Sequence, residues 1–262
     1  MPTLSVAGHQ LEYQWFNPPY EVLRPNAPVL VFLHEGLGSL SMWKDFPEHI
    51  AAATGCRALV YSRHGYGKSD RLQQARQVDY MHVEALDVLP QVLRQLDIDN
   101  PVLIGHSDGA SIALIHAGAA QWPVRALVLL APHVFVEELT VASIAQAKVA
   151  YQTTDLSAKL GRYHDDVDNT FWGWNDIWLH PQFRHWNIES FLPRIACPVL
   201  AIQGEDDEYG TMAQLECIAQ QIADVELLKL GNCHHSPHRD QPLAVIEAIK
   251  HFIERLGGQD SC

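Results

Sequence analysis

Six short, mainly apolar runs recur at 29–33, 58–61, 102–104, 126–130, 199–202 and 225–230 without a period-two alternation of apolar and polar residues. A strand with one face in water alternates; a strand covered on both faces does not, so these runs read as buried strands. Segments of helical period lie between them, at 43–53, 81–96, 110–120, 212–222 and 243–256. Strand-helix alternation predicts the α/β class, with a doubly wound, mostly parallel sheet. Ahead of the first run, Leu4 and Val6, then Leu11, Tyr13 and Trp15, alternate about Ala7-Gly8-His9. That pattern predicts a hairpin forming an antiparallel edge.

The chain is long enough, at 262 residues and 47% hydrophobic, to bury one sizeable core. Its formal charge of −13 repels phosphate backbones and anionic lipid, which sets nucleic acid and membrane aside as partners and leaves a small molecule. Five scattered cysteines without a C-x-x-C pair argue against a disulfide framework and for a reducing, cytoplasmic setting. No apolar stretch reaches the roughly 18 residues of a membrane span, and the first residues lack the basic-then-apolar pattern of a leader.

One stretch breaks the alternation. Between 134 and 191 no buried strand is visible; Trp172, Trp174, Trp178 and Trp186 mix there with Asp155, Asp165, Asp166, Asp168 and Asp176. The expected organisation is a core of residues 1–133 and 192–262 carrying a helical cap at 134–191. The tail 257–262, rich in glycine and polar residues, is expected to fray.

Gly105-His106-Ser107-Asp108-Gly109 follows a predicted strand and opens a predicted helix, the setting in which G-x-S-x-G carries chemistry. Two glycines permit a crowded turn that holds the serine hydroxyl at the carboxyl edge of the sheet, where ligands bind in open α/β sheets. An alcohol needs a base to become a nucleophile, and the base needs an acid to orient it. The acid turn Glu205-Asp206-Asp207-Glu208 follows the penultimate strand, and Cys233-His234-His235-Ser236-Pro237-His238 follows the last. Both leave the same sheet edge as the serine, in the order Ser, Asp, His.

These motifs, together with Leu33-His34-Glu35-Gly36-Leu37-Gly38-Ser39 and Ser62-Arg63-His64-Gly65-Tyr66-Gly67-Lys68-Ser69, make the chain resemble the α/β-hydrolases of esterase and lactonase type over nearly its whole length. The resemblance implies Ser107 as nucleophile, Asp207 rather than Asp206 as the acid, and His235 as the base. It also implies two backbone N–H donors for the oxyanion, one on Asp108 and one in the loop where family members commonly read His-Gly-X. Here that loop reads His34-Glu35-Gly36, so the second donor falls on Gly36, with Leu37 as the alternative. The Ser-Asp-Gly elbow is also similar to the valacyclovir-hydrolase-like branch, which implies α-amino esters as one substrate class. A free carboxylate on Asp108 would draw an ammonium toward the scissile carbonyl; an Asp108 turned away would cap the helix or pair with a base.

Other patterns lead nowhere. Gly65-Tyr66-Gly67-Lys68-Ser69 lacks the first glycine of a phosphate loop and reads as a tight turn beside the sheet edge. Cys233, His234, His235 and His238 match no zinc spacing, so no metal and no cofactor are expected. His106 and His116 read as structural histidines of the elbow surroundings and a helix face. The expected activity is hydrolysis of a small carboxylic ester or lactone through an acyl-enzyme, with Trp172, Trp174 and Trp178 shaping the pocket beside Asp108. Two further reactions use the same three side chains: C–C hydrolysis of a vinylogous keto acid, and amide hydrolysis at an aminoacyl N-terminus. A non-catalytic binding module is the remaining class.

Overall fold

The first turn, at Ala7 and Gly8, has both residues at positive φ (50° and 84°), the backbone a tight twisted hairpin requires. It joins β1 (Thr3–Val6) to β2 (His9–Phe16), and β2 runs antiparallel to β4 (Ala58–Tyr61). The remaining strands, β3 (Leu30–Leu33), β5 (Val102–His106), β6 (Ala126–Leu130), β7 (Val199–Gly204) and β8 (Val225–Leu230), are parallel. The sheet order is β1-β2-β4-β3-β5-β6-β7-β8 in this computed structural model, which describes residues 1–258. The α/β fold class and the mostly parallel sheet stand as the apolar runs predict. One run differs: β8 is the outer strand, so Glu226 and Lys229 lie on a half-exposed edge and the strand is not buried on both faces.

Alternate residues of each central strand feed two cores. Val31, Leu33, Leu103, Leu127 and Leu129 pack on one side; Leu30, Phe32, Ile104, Val128 and Leu130 pack on the other. The second side is covered by α1 (Phe46–Thr54), and the first by α2 (Tyr80–Val83), α3 (Leu89–Gln95) and α4 (Asp108–Ala119). A single π-turn, Glu84–Val88, joins α2 to α3. Pro90 follows it, and a proline lacks an N–H and crowds the carbonyl four residues back, so the ladder widens just ahead of it.

Between β6 and β7 the described chain is helical, with α5 (Glu138–Thr153), α6 (Leu156–Leu160), α7 (Val167–Trp178) and the 3-10 turns Pro181–His185 and Glu189–Arg194. One antiparallel bridge joins Phe135 to Asn187. The chain closes with α8 (Ala213–Gln221), α9 (Pro237–Asp240) and α10 (Pro242–Gly258), so the first two residues of the tail expected to fray, Gly257 and Gly258, are helical; the rest of that tail, 259–262, lies outside the described residues. Among the described residues no helix is long and apolar enough to cross a membrane.

Candidate active site

Ser107 sits between β5 and α4 at φ 53° and ψ −117°, a conformation that side chains rarely adopt. The flanking glycines explain how the turn is tolerated. A Cβ on Gly109 would overlap the Leu33 carbonyl of β3, and one on Gly105 would overlap the Gly109 carbonyl. The strained turn presents the Ser107 hydroxyl at the carboxyl edge of the sheet, where it donates to His235 Nε2 at 2.9 Å. His235 Nδ1–H donates in turn to Asp207 Oδ1 at 2.8 Å. The three side chains thus form one hydrogen-bonded chain, although 128 residues separate the first two.

Asp207 is held from several directions. Its Oδ1 also accepts from the Tyr209 and Gly210 amides at 2.8 and 3.2 Å, and its Oδ2 accepts from Gln203 Nε2 at 3.1 Å. Burial pushes the carboxyl up, but His235 and the Tyr209 amide outweigh it and leave it below its ordinary value. Asp206, by contrast, is exposed, and its amide donates to the Cys233 carbonyl. Tyr209 lies against the His235 ring at 4.8 Å, and the His133 ring is 5.6 Å from it. Burial, then the nearby His235, draws His133 down to about 3, so this neighbour is neutral.

Asp108, as the first residue of α4, has an N–H with no acceptor inside the helix. The second amide is oriented by an anchored carbonyl. Arg63 Nη2 donates to the Glu35 carbonyl at 3.0 Å, and His34 Nδ1–H donates to the same oxygen at 2.8 Å. Since a trans peptide sets its N–H opposite its C=O, the Gly36 N–H points away from Arg63, and Gly36 itself lines the cavity. Gly36 has no room for a side chain, because the indole Nε1 of Trp174 lies where a Cβ would stand.

The Asp108 side chain does not reach into the cavity as a free carboxylate. Tyr80 Oη donates to its Oδ2 at 2.6 Å, Trp178 Nε1 donates to its Oδ1 at 3.3 Å, and Arg63 Nη2 lies 3.8 Å from Oδ2. Of the tryptophans, Trp174 and Trp178 line the cavity over Ser107 with Leu37, Ile144, Tyr209 and His133. Their spacing of four places them on one face of α7, whereas Trp172, two residues from Trp174, is rotated by about 200°. Trp172 therefore sits outside the cavity, edge-on to Tyr151 and beneath the Lys148 ammonium, and lines a separate groove with Leu72 and Arg76.

The cavity has a volume of about 110 Å³, smaller than the ~150 Å³ that accepts benzene in an engineered core. The remaining histidine-loop residues do not converge. His238 packs against Trp43 and Phe46, while His234 faces Asp240 on the exposed side. His116 Nδ1–H donates to the Ala85 carbonyl at 2.8 Å. Arg63, Gln203, Tyr80 and His133 were missed by motif reading. Arg63 had a signal, as a cation inside the Ser62–Ser69 motif, whereas Gln203 only extends a strand.

A serine on a strained strand-helix turn, joined through histidine to an acid on adjacent strand ends, agrees with a family model described as "Alpha/beta hydrolase family", which matches residues 30–248. The chain belongs to that family. It is a hydrolase, and its relatives span several activities. A proline iminopeptidase, PfmaB, of Pestalotiopsis fici is 21% identical, covering 96% of this chain and 99% of that protein. The crystal structure of a Mycobacterium smegmatis proline iminopeptidase superposes with TM-score 0.78 at 20% identity, covering 97% of this chain and 98% of its own. An enol-lactonase of Burkholderia xenovorans LB400 gives TM-score 0.74 at 20% identity, covering 97% and 100%. The last two likenesses speak for the α/β-hydrolase fold.

Proposed function

We propose that this α/β-hydrolase cleaves small carboxylic esters or lactones through an acyl-enzyme on Ser107. The observation that carries the reading is the continuous hydrogen-bonded path from Ser107 through His235 to Asp207 at the floor of a small, mainly apolar cavity. Ser107 Oγ attacks the carbonyl carbon as His235 Nε2 takes its proton. Asp207 keeps the proton on His235 Nδ1 and stabilises the imidazolium that forms. The former carbonyl oxygen becomes an oxyanion between the N–H groups of Asp108 and Gly36, each such donor worth about 3 kcal/mol of barrier. His235 then protonates the departing alcohol, and water, activated by the same ring, releases the acid.

The helical segment 134–191 acts in this reading as a cap, with Trp174, Trp178 and Ile144 bounding the acyl group. The cavity volume favours a short acyl chain. A second reading, release of an N-terminal residue from a peptide, draws on the full-length likeness to proline iminopeptidases. An unpaired carboxylate is the strongest single partner for an ammonium, and the two carboxylates that line this cavity are engaged, Asp108 as above and Glu35 with His106 and Arg239. That weighs toward the ester. A panel of p-nitrophenyl acetate, an enol-lactone, a ring-cleavage keto acid and proline p-nitroanilide tests both. Higher kcat/KM on the ester or lactone supports the reading, and higher kcat/KM on the anilide or keto acid overturns it.

A further inference from the structure

Two charged or ionisable side chains at the cavity wall take no part in the mechanism above. Glu35 stands where the resembling family has a glycine, and its carboxylate lies where a side chain on residue 38 would be, so Gly38 makes room for it. Its Oε1 accepts from Arg239 Nη2 at 3.3 Å, and Arg239 also donates to the Met42 carbonyl at 3.1 Å. Its Oε2 faces His106 Nδ1 at 3.4 Å, within ion-pair range. The other ring nitrogen of His106, Nε2, is 2.8 Å from the His235 carbonyl.

These contacts place one proton. A carbonyl oxygen only accepts, so His106 Nε2 carries a hydrogen. Nδ1 is buried, with no hydrogen-bond partner among the described residues, and faces a carboxylate; a lone pair there would oppose another lone pair. A hydrogen on Nδ1 as well would make this contact an ion pair with an ionised Glu35. Burial pushes the Glu35 carboxyl up, but His106 and Arg239 hold it well below the usual range.

We propose that Glu35 and His106 are positioning residues, an ion pair of one buried and one partly buried side chain that ties the oxyanion loop to the catalytic-histidine loop and so holds the Gly36 amide and the His235 ring in register. The proposal rests on the roles given above to Ser107, His235 and Gly36. The pair reaches across three loops, with Glu35 next to Gly36, His106 next to Ser107, and the His235 carbonyl at its far end. The groups around it are accounted for. Arg239 sits on the free carboxylate oxygen, and the His238 ring is 4.9 Å from His106 and kept neutral first by burial and then by His106 itself. His235 is 5.3 Å away on the cavity side. His133 stands beyond it, while Arg63, His34 and His164 lie behind the oxyanion loop.

The decisive variant is Glu35→Gln. A glutamine amide donates its N–H to the lone pair of a neutral His106 and still accepts from Arg239, so the tie survives without the extra proton. Ring nitrogen-15 NMR of the full chain, with His106 assigned from His106→Asn, reads this without turnover. An ion pair should show in the wild type as hydrogen on both His106 nitrogens, and Glu35→Gln should show hydrogen on Nε2 alone. In p-nitrophenyl acetate hydrolysis, Glu35→Ala should lower kcat by about tenfold or more with little change in KM, because small displacements of reacting groups are expensive. Glu35→Gln should stay within a few-fold of wild type, rescue by a side chain that keeps the tie. A neutral His106 in the wild type at pH 7, or Glu35→Ala with wild-type kcat, overturns the proposal. If the NMR result holds while no ester is turned over, the ion pair stands and the hydrolase reading fails. If Glu35→Ala does not fold, the wild-type and Glu35→Gln spectra still decide.

Discussion

Arg63 and Asp108 form a fully buried ion pair directly beneath the nucleophile, with Nη2 3.8 Å from Oδ2. The same guanidinium group holds the carbonyls of His34 and Glu35. One cation therefore anchors the residues that carry both proposed oxyanion donors, Asp108 by its side chain and Gly36 through the peptide before it. A carboxylate used in this way is not free to attract a substrate ammonium.

Replacing Asp108 with asparagine should accordingly act on stability and not on amine preference. Asparagine can accept from Trp178 with its Oδ1 and donate its Nδ2–H to Tyr80 Oη, but leaves Arg63 buried without its counter-charge, a loss of about 3 kcal/mol. Urea unfolding should show that loss, and the ratio of kcat/KM for an α-amino ester to that for its deaminated analogue should not change. A ratio that falls at unchanged stability would return Asp108 to the role of ammonium ligand.

Gly36→Ala should push the Trp174 indole out of place, since the added methyl has no space beside Nε1. Overpacking of this kind is worth about 1–3 kcal/mol, and the displaced amide should reduce kcat more than KM. Adding Trp174→Phe should restore part of the stability, measured by thermal unfolding. Equal stability of the single and double variants would mean that the two residues are not in contact.

Acidification should weaken the fold well before the carboxylates titrate. His133 is neutral in the folded protein, drawn down to about 3, while an unfolded histidine titrates near 6.5. The unfolded chain then binds a proton that the folded chain refuses, so stability is complete above about pH 6.5 and falls toward pH 3 by up to about 1.4 kcal/mol per pH unit for this residue. His34 and His164 are lowered by burial in the same sense. Urea unfolding at pH 7, 6 and 5 should show the slope, and His133→Gln should flatten it by one proton's worth.

Ile144→Ala should move the acyl-length optimum upward, because Ile144 is buried and bounds the small cavity. Wild type should prefer acetyl and butyryl esters to octanoyl, and the variant should narrow or invert that order. An unchanged chain-length profile would mean that the acyl group lies elsewhere.

The sequence made much of this legible because buried parallel strands cannot hide. The runs at 58–61 and 126–130 are strands with those bounds, and the G-x-S-x-G turn lies between β5 and α4. Asp207 and His235 were reached through the order of the strand ends and a family resemblance, and the structure brings both to Ser107. Trp172 was grouped with its neighbours because composition does not report helix phase; spacing from Trp174 would have separated it. The tie from Glu35 to His106 joins residues far apart in the chain, and no local pattern marks it. The engagement of Asp108 depended on Tyr80 and Arg63, whose approach only the packed fold reveals.

The most direct test is covalent. Incubating the folded chain with a fluorophosphonate and mapping the adduct by mass spectrometry should place one phosphonyl group on Ser107, none on Ser107→Ala, and a rate at least about a hundredfold lower on His235→Gln. Folded wild-type protein that takes up no adduct, or one that reacts at the same rate without His235, would contradict the account.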